Sequence, residues 1–348
     1  MCMFCFGVAS ACDFPVFQWA MENWAADSYE VLVYHDGPLS GDEEAMVKLL
    51  EEQCQSLSVN AKLTLSNIQG EDDFIAPDLW EMQSGATLPW MVLRYPAAQS
   101  NDPYVWAAPL NETNVHSLLD SPVRQKIAAE LADQKTAVWV LLESGDAEAD
   151  TKAAASIEEA LRVTRKSVEI VPLDGDTNEA AEPVTWDLSY SLVRVARSDS
   201  KEKAFVQMLL HSESDLADTN LPMAFPMFGR GRALYALVGG GINTTMIEEA
   251  NVYISDRCGC EVKDQNPGVD MLMGMDWDAV VGTLERDPLA PPSPTALADV
   301  VVEADVAEEA KPVESAPVVN NVLVVIAIVV LVVLLASMLV LLRGKEAA

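Results

Sequence analysis

Two cysteines one residue apart, Cys258 and Cys260, stand between Arg257 and Lys263 in a chain with only 22 basic residues. Nearby positive charge stabilises a thiolate and makes a cysteine nucleophilic near neutral pH. A Cys-Gly-Cys pair can form a strained, oxidising disulfide, present two soft ligands to a metal, or act as a structural bridge in an oxidising compartment. Just downstream, Met271, Met273 and Met275 alternate with other residues up to Trp277. On a strand these thioethers share one face, and thiolate with thioether is a ligand set for Cu(I). Core packing is the competing reading of the methionines. Copper is the one cofactor this pattern admits, against a plain reading with no cofactor.

The remaining reactive residues form no recognisable constellation. Cys54 lies four residues after Leu50 on the apolar side of a helical pattern with Met46 and Val47, as a core thiol does. His35, His116 and His211 are far apart and share no ligand spacing, although His35 abuts Asp36. The run Phe228-Gly229-Arg230-Gly231-Arg232 and the later Gly239-Gly240-Gly241 could hold an anion on helix N–H groups with arginine help. A turn with surface arginines is the plainer reading. No P-loop, dinucleotide fingerprint, zinc-protease motif or nucleophilic triad is present.

Hydrophobic periodicity places the elements that must position these residues. It predicts a helix over 15–24, a strand over 29–35, the turn Asp36-Gly37-Pro38-Leu39, a helix over 42–55 and a strand over 61–65. A helix over 74–83, a hairpin of strands 89–95 and 104–108, and helices from 112 to 134 follow. A second pass begins with strand 137–142 and helix 151–165. Strand 167–171, an insertion over 172–187, strand 189–196, helix 201–211, a hairpin over 223–238 and helix 243–254 complete it.

The first of these orders, αβαβαββα, resembles the thioredoxin fold over residues 13–134. Asp36-Gly37-Pro38-Leu39 stands where thioredoxins carry the redox loop, keeping Gly-Pro but lacking both flanking cysteines. Thr87-Leu88-Pro89-Trp90 resembles the element bearing their cis-proline, and only X-Pro bonds become cis cheaply. Leu221-Pro222 repeats that landmark, and Glu143-Ser144-Gly145-Asp146, after the second pass's first strand, again lacks cysteine. The expectation is an α/β chain with two thioredoxin-like domains in tandem, residues 13–135 and 136–285. Pro89 and Pro222 are its cis-proline candidates.

The flanks speak of location. Residues 1–12 resemble the end of an export signal, with Ala-Ser-Ala before Cys12 and Cys12 as a lipidation candidate. Residues 286–317, rich in proline, alanine, valine and acids, read as a disordered spacer with a reach of roughly 30 Å. Residues 318–343 hold an uncharged run that opens at Val322 and closes at Leu342, long enough for one transmembrane helix. Arg343 and Lys345 follow it, so the tail, residues 344–348, is expected in the cytoplasm and the body of the chain outside. With 54 acids and a net charge of −32, nucleic acid is excluded as a partner.

Three groups of residues carry a further resemblance, to membrane-anchored exported proteins of planctomycete-type bacteria. They are Cys12 with Pro15-Val16-Phe17 and Trp24, His35 with Gly37-Pro38-Leu39, and Cys258-Gly259-Cys260 with Asn266-Pro267-Gly268. That resemblance implies export and anchoring and supplies no activity. The functional expectation is a non-enzymatic protein that presents redox-silent thioredoxin-like domains to a protein partner. The alternatives are a thiol-disulfide oxidoreductase working through Cys258 and Cys260, and soft-metal handling by those cysteines with Met271, Met273 and Met275.

Overall fold

The structure, a computed structural model, describes residues 14–70, 73–96, 104–171, 182–258 and 262–284. The leader with Cys12, most of the insertion, Gly259 and Cys260, the spacer and the Val322 to Leu342 run lie outside the described residues. Among the described residues no helix is long and apolar enough to cross a membrane.

The chain folds as a mixed α/β protein. Helix α1 (Val16–Asn23) leads into β1 (Tyr29–His35), α2 (Gly41–Ser56), β2 (Ala61–Asn67), α3 (Pro77–Glu81), β3 (Trp90–Arg94) and β4 (Trp106–Pro109). The four strands form one sheet in the order β2-β1-β3-β4. β1 is parallel to β2 and antiparallel to β3, which is antiparallel to β4. β1 sits inside the sheet because Tyr29 and residues 31–34 are β-branched, aromatic or aliphatic and buried on both faces, while Glu30 pairs with Arg94 of β3. α2 starts where Ser40 caps it, accepting from Glu43 N–H while the Glu43 carboxylate accepts from Ser40 N–H.

Helices α4 (Glu112–Leu119) and α5 (Pro122–Ala132) lead to β5 (Ala137–Glu143), α6 (Ala147–Val163), β6 (Ser167–Ile170), β7 (Val184–Asp187), β8 (Tyr190–Ala196) and α7 (Lys203–Leu210). Then come β9 (Met223–Phe228), β10 (Arg232–Ala233), β11 (Leu237–Val238), α8 (Thr244–Ser255), β12 (Val269–Asp270) and α9 (Trp277–Thr283). The second large sheet runs β12-β10-β9-β5-β8, with β11 also on β9. β5 is parallel to β8 and antiparallel to β9. Three expectations change here. β6 pairs with β7 alone and stays out of the main sheet, the second strand of the expected 223–238 hairpin splits into β10 and β11, and Met271, Met273 and Met275 follow β12 without lying on a strand.

Three apolar clusters hold these layers together. The largest lies between the sheets, joining Val31, Val33, Met91 and Leu93 of the first to Val138, Val140, Phe225 and Met227 of the second, with α2, α4, α5 and α7 contributing. A second covers the other face of the second sheet with α1, α6 and α8, and a third covers the outer face of the first sheet near α3.

The terminal segments cross between the sheets. α1, expected to belong with residues 13–135, buries Val16, Phe17 and Ala20 on the second sheet. Its neighbour is the turn at Gly229, whose φ of +54° suits glycine and whose added Cβ would stand 2.8 Å from Ala20 Cβ. In return the segment after α8 reaches back to the first sheet. Gly274 bridges to Val59, Asn60 Oδ1 accepts from Met273 N–H at 2.8 Å, and buried Arg124 donates to Leu272 O at 3.2 Å. The described residues accordingly fall in one compact unit.

Candidate functional site

The loop Asp36-Gly37-Pro38-Leu39 leaves the C-terminal end of β1, where ligand sites of open α/β sheets gather. Asn67, the last residue of β2, accepts from Gly37 N–H at 3.1 Å, and His35 Nδ1 lies 2.8 Å from Gly37 O. Gly37 has φ +76° with open space where a Cβ would stand, so its conformation, not crowding, asks for glycine. Asp36 and Pro38 are exposed, while Leu39 packs against the inter-sheet core.

Pro89 comes next to this loop through strand register. Tyr34 opposes Trp90 as the last pair of the β1–β3 ladder, so His35 and Pro89 are the residues that lie just beyond its end. Leu88–Pro89 is cis, and Pro89 O accepts from Leu110 N–H at 2.9 Å. Trp90 is oriented by a hydrogen bond from its indole to Gln83 Oε1 at 3.1 Å, and buried Gln83 donates in turn to Leu79 O. Neither Asn67 nor Gln83 stands out in the sequence, because each acts through a side chain brought in from another element.

Thiol chemistry has no footing at this loop. A thiolate would need a cysteine at the loop and exposed helix N–H groups to stabilise it. The loop has no cysteine, and the α2 end is closed by Ser40 and Glu43. Hydrogen bonding to Ser40 holds the Glu43 carboxyl below its ordinary value, so that end carries an anion.

Pro222 corrects the expected repeat of this arrangement. Leu221–Pro222 is trans, since among the described residues only Leu88–Pro89 is cis. The Arg197 guanidinium donates to Leu221 O at 3.1 Å and Thr219 O at 2.9 Å, while Gly239 N–H donates to Pro222 O at 2.9 Å. These bonds hold the segment in the form X-Pro bonds ordinarily prefer.

The cysteine and methionine candidates are not brought together. Cys258 is fully buried in the cluster on the α1, α6 and α8 side of the second sheet, while Met271 and Met273 lie in the core between the sheets. Leu272 is buried beside them, so the expected alternation of faces is lost, and Met275 only packs on the core's margin. A shared copper set of Cys258 with these methionines is therefore not assembled by the described residues. Among them no three His, Cys, Asp or Glu side chains converge as metal ligands either.

The cations expected to activate Cys258 are engaged elsewhere. Arg257 donates to Val171 O, and Lys263 binds Asp270, Asp27 at 2.8 Å and Ala25 O at 2.6 Å. Cys258 N–H donates to Phe14 O at 2.9 Å, in a short antiparallel contact where Pro15 bridges Arg257. Cys54 is half-buried against the inter-sheet core, and burial, with Glu51 adding, pushes its thiol up to about 11.

The arginines of the 228–232 turn are structural, not surface, residues. Arg230 donates to Met21 O at 2.8 Å and pairs with Asp278 at 2.9 Å. Arg232 is buried and holds Asp270 at 2.8 Å, Pro267 O and Asn266 O. Gly239–Gly241 form a 3-10 turn, and Asn243 caps α8 by accepting from Met246 N–H. The alternative of an anion site thus loses the guanidinium groups of Arg230 and Arg232 to internal partners.

No known protein family, curated protein or solved structure matches this chain.

Proposed function

We propose that this protein is a non-enzymatic, membrane-anchored binding protein whose two sheets are thioredoxin-like domains stripped of their redox pair. The observation that carries this reading is the pairing of cis-Pro89 with a loop that has kept Gly37-Pro38 and lost both cysteines. In both sheets a central strand has one parallel neighbour and a following antiparallel one, the arrangement expected for that fold. Burial of Cys258 argues in the same direction, because thiol exchange requires an accessible thiolate.

On this reading the run from Val322 to Leu342 anchors the chain, the spacer of residues 286–317 lifts the folded body off the lipid, and the body faces the exterior. The partner is another protein, met through the Pro89 face. The test is insulin reduction by the full-length chain and its Cys258→Ser variant, both expected at the uncatalysed rate. Wild-type turnover abolished by Cys258→Ser would replace this reading with an oxidoreductase. Release of the chain into the soluble fraction without detergent would remove the anchor from it.

A further inference from the structure

A groove of about 630 Å³ straddles the outer edge of β4, between Trp90 and Tyr104 on one side and α7 on the other. Lys203 and Gln207 of α7 and His211, which follows its last residue, line it at intervals of four residues, a polar rail of about 12 Å on one side. The opposite face of α7 buries Phe205, Leu209 and neighbouring side chains, so the rail is held rigidly. Trp90 is fixed by its bond to Gln83, which also lines the groove.

The charge of this groove runs against that of the chain as a whole. The chain carries 54 acids, yet no described residue lining the groove is Asp or Glu, whereas Lys203 and His211 both do so. Backbone geometry adds a second feature. Leu110 N–H bonds to Pro89 O, so alternation along the antiparallel pair turns the N–H and C=O of Ala107 outward, into the groove. An extended chain can add to such an edge while its side chains meet alternate walls.

We propose that this groove takes an extended acidic peptide segment of a partner protein, with an aromatic or aliphatic side chain against Trp90 and Tyr104 and carboxylates along Lys203 and His211. The proposal rests on the binding reading above and gives it a partner chemistry. It moves the main contact from the Pro89 face to the β4 edge.

The probe is a fluorescein-labelled octapeptide of glutamates around one tryptophan, with glutamine and lysine counterparts, titrated by anisotropy against the full-length chain in detergent. The glutamate peptide should bind about tenfold tighter than the glutamine one and weaken with added salt, and exposed Lys203 reversed to glutamate should remove most of that gain. Double reversal, Lys203→Glu with His211→Glu, should transfer binding to the lysine peptide. Equal affinity for all three peptides, no binding of any, or indifference to Lys203→Glu would overturn the proposal. So would competition by cellohexaose that Lys203→Glu leaves untouched, which would mark a glycan site. Glutamate-peptide binding that responds to Pro38→Ala but not to Lys203→Glu would sink the groove and leave the Pro89 platform standing. Insulin reduction would sink the platform reading and leave the groove result intact.

Discussion

Arg232 and Asp270 form an ion pair at 2.8 Å with their side chains only 7% and 4% exposed. Asp270 also accepts from Asp27 N–H and Lys263, while its backbone oxygen accepts from the Tyr29 hydroxyl at 2.8 Å. One carboxylate thus ties the link between α1 and β1 to β10, β12 and the segment that returns to the first sheet. A buried pair adds little when replaced whole but costs much when halved, because the survivor is left charged and unpaired.

Removing Asp270 alone should therefore destabilise strongly. Asp270→Ala is expected to cost about 3–5 kcal/mol, since it leaves buried Arg232 without a carboxylate and Lys263 with Asp27 as its remaining ion-pair partner. Replacing Arg232 and Asp270 together with Met and Leu should cost clearly less than the single change. Urea melts of the three proteins decide this, and equal midpoints for wild type and Asp270→Ala would refute it.

Asn60 is the polar rivet between the first sheet and the returning segment. It donates to Asp27 O at 2.8 Å and Met271 O at 3.2 Å and accepts from Met273 N–H. Asn60→Ala should lose about 2–4 kcal/mol, at roughly 1 kcal/mol for each bond given up plus the desolvated groups left behind. Hydrogen exchange should find the Met273 amide losing protection before the amides of β5 do.

Two glycines with positive φ should respond differently to alanine. At Gly37 nothing stands within 4 Å of the added Cβ, so the cost is the left-handed backbone alone, about 1–2 kcal/mol. Gly229→Ala adds a clash with Ala20 and pushes α1 off the second sheet, so its melting midpoint should fall further. Similar midpoints for the two variants would show that α1 tolerates the displacement.

Alkaline pH should unfold the protein partly through Tyr34. Burial pushes its phenol up to about 12, and the hydroxyl donates to Ala76 O at 2.9 Å. The folded chain therefore holds a proton that the unfolded chain releases above about 10. This contribution is fully present below pH 10 and is lost as pH climbs through 12. Tyr34→Phe should flatten the fall of stability over that window relative to wild type, read by urea midpoints at each pH. An unchanged slope would remove Tyr34 from the account.

Cys54 offers a parallel check on the thiols. A shift from 9.0 to about 11 leaves about a hundredfold less thiolate at pH 8 than an unperturbed group. Alkylation at Cys54 should be correspondingly slow and should quicken about tenfold per pH unit up to 11. Fast labelling at neutral pH would show that the α2 surface opens.

Local pattern made several features legible in advance. β1 was readable because seven strand-forming residues end at a Gly-Pro turn, and α2 because its apolar residues recur at helical spacing. The missing cysteines at the Asp36–Leu39 loop and the proline at 89 are facts of composition and place. Legibility failed where a second partner decides the conformation. β6 and β8 both mix branched apolar residues with polar ones, and the pairing of β8 with β5 is what places one in the main sheet and the other outside it. The methionines after Asp270 looked like one face of a strand, but residues 271–273 are buried whichever way they point and Met275 lies at the core's margin.

By itself the sequence determined the α/β class, the order of elements as far as β6, the absence of a redox pair beside Pro89 and the presence of a membrane-length apolar run. Each depends on neighbours a few residues apart, whose spacing is written in the chain. The tertiary structure alone decided that α1 packs on the second sheet, that Arg230 and Arg232 are internal struts, and that Cys258 and Met273 lie on opposite faces of one sheet. Those outcomes turn on contacts between residues up to about 240 positions apart, where burying charge with its partner and apolar surface with its complement outweighs any local preference.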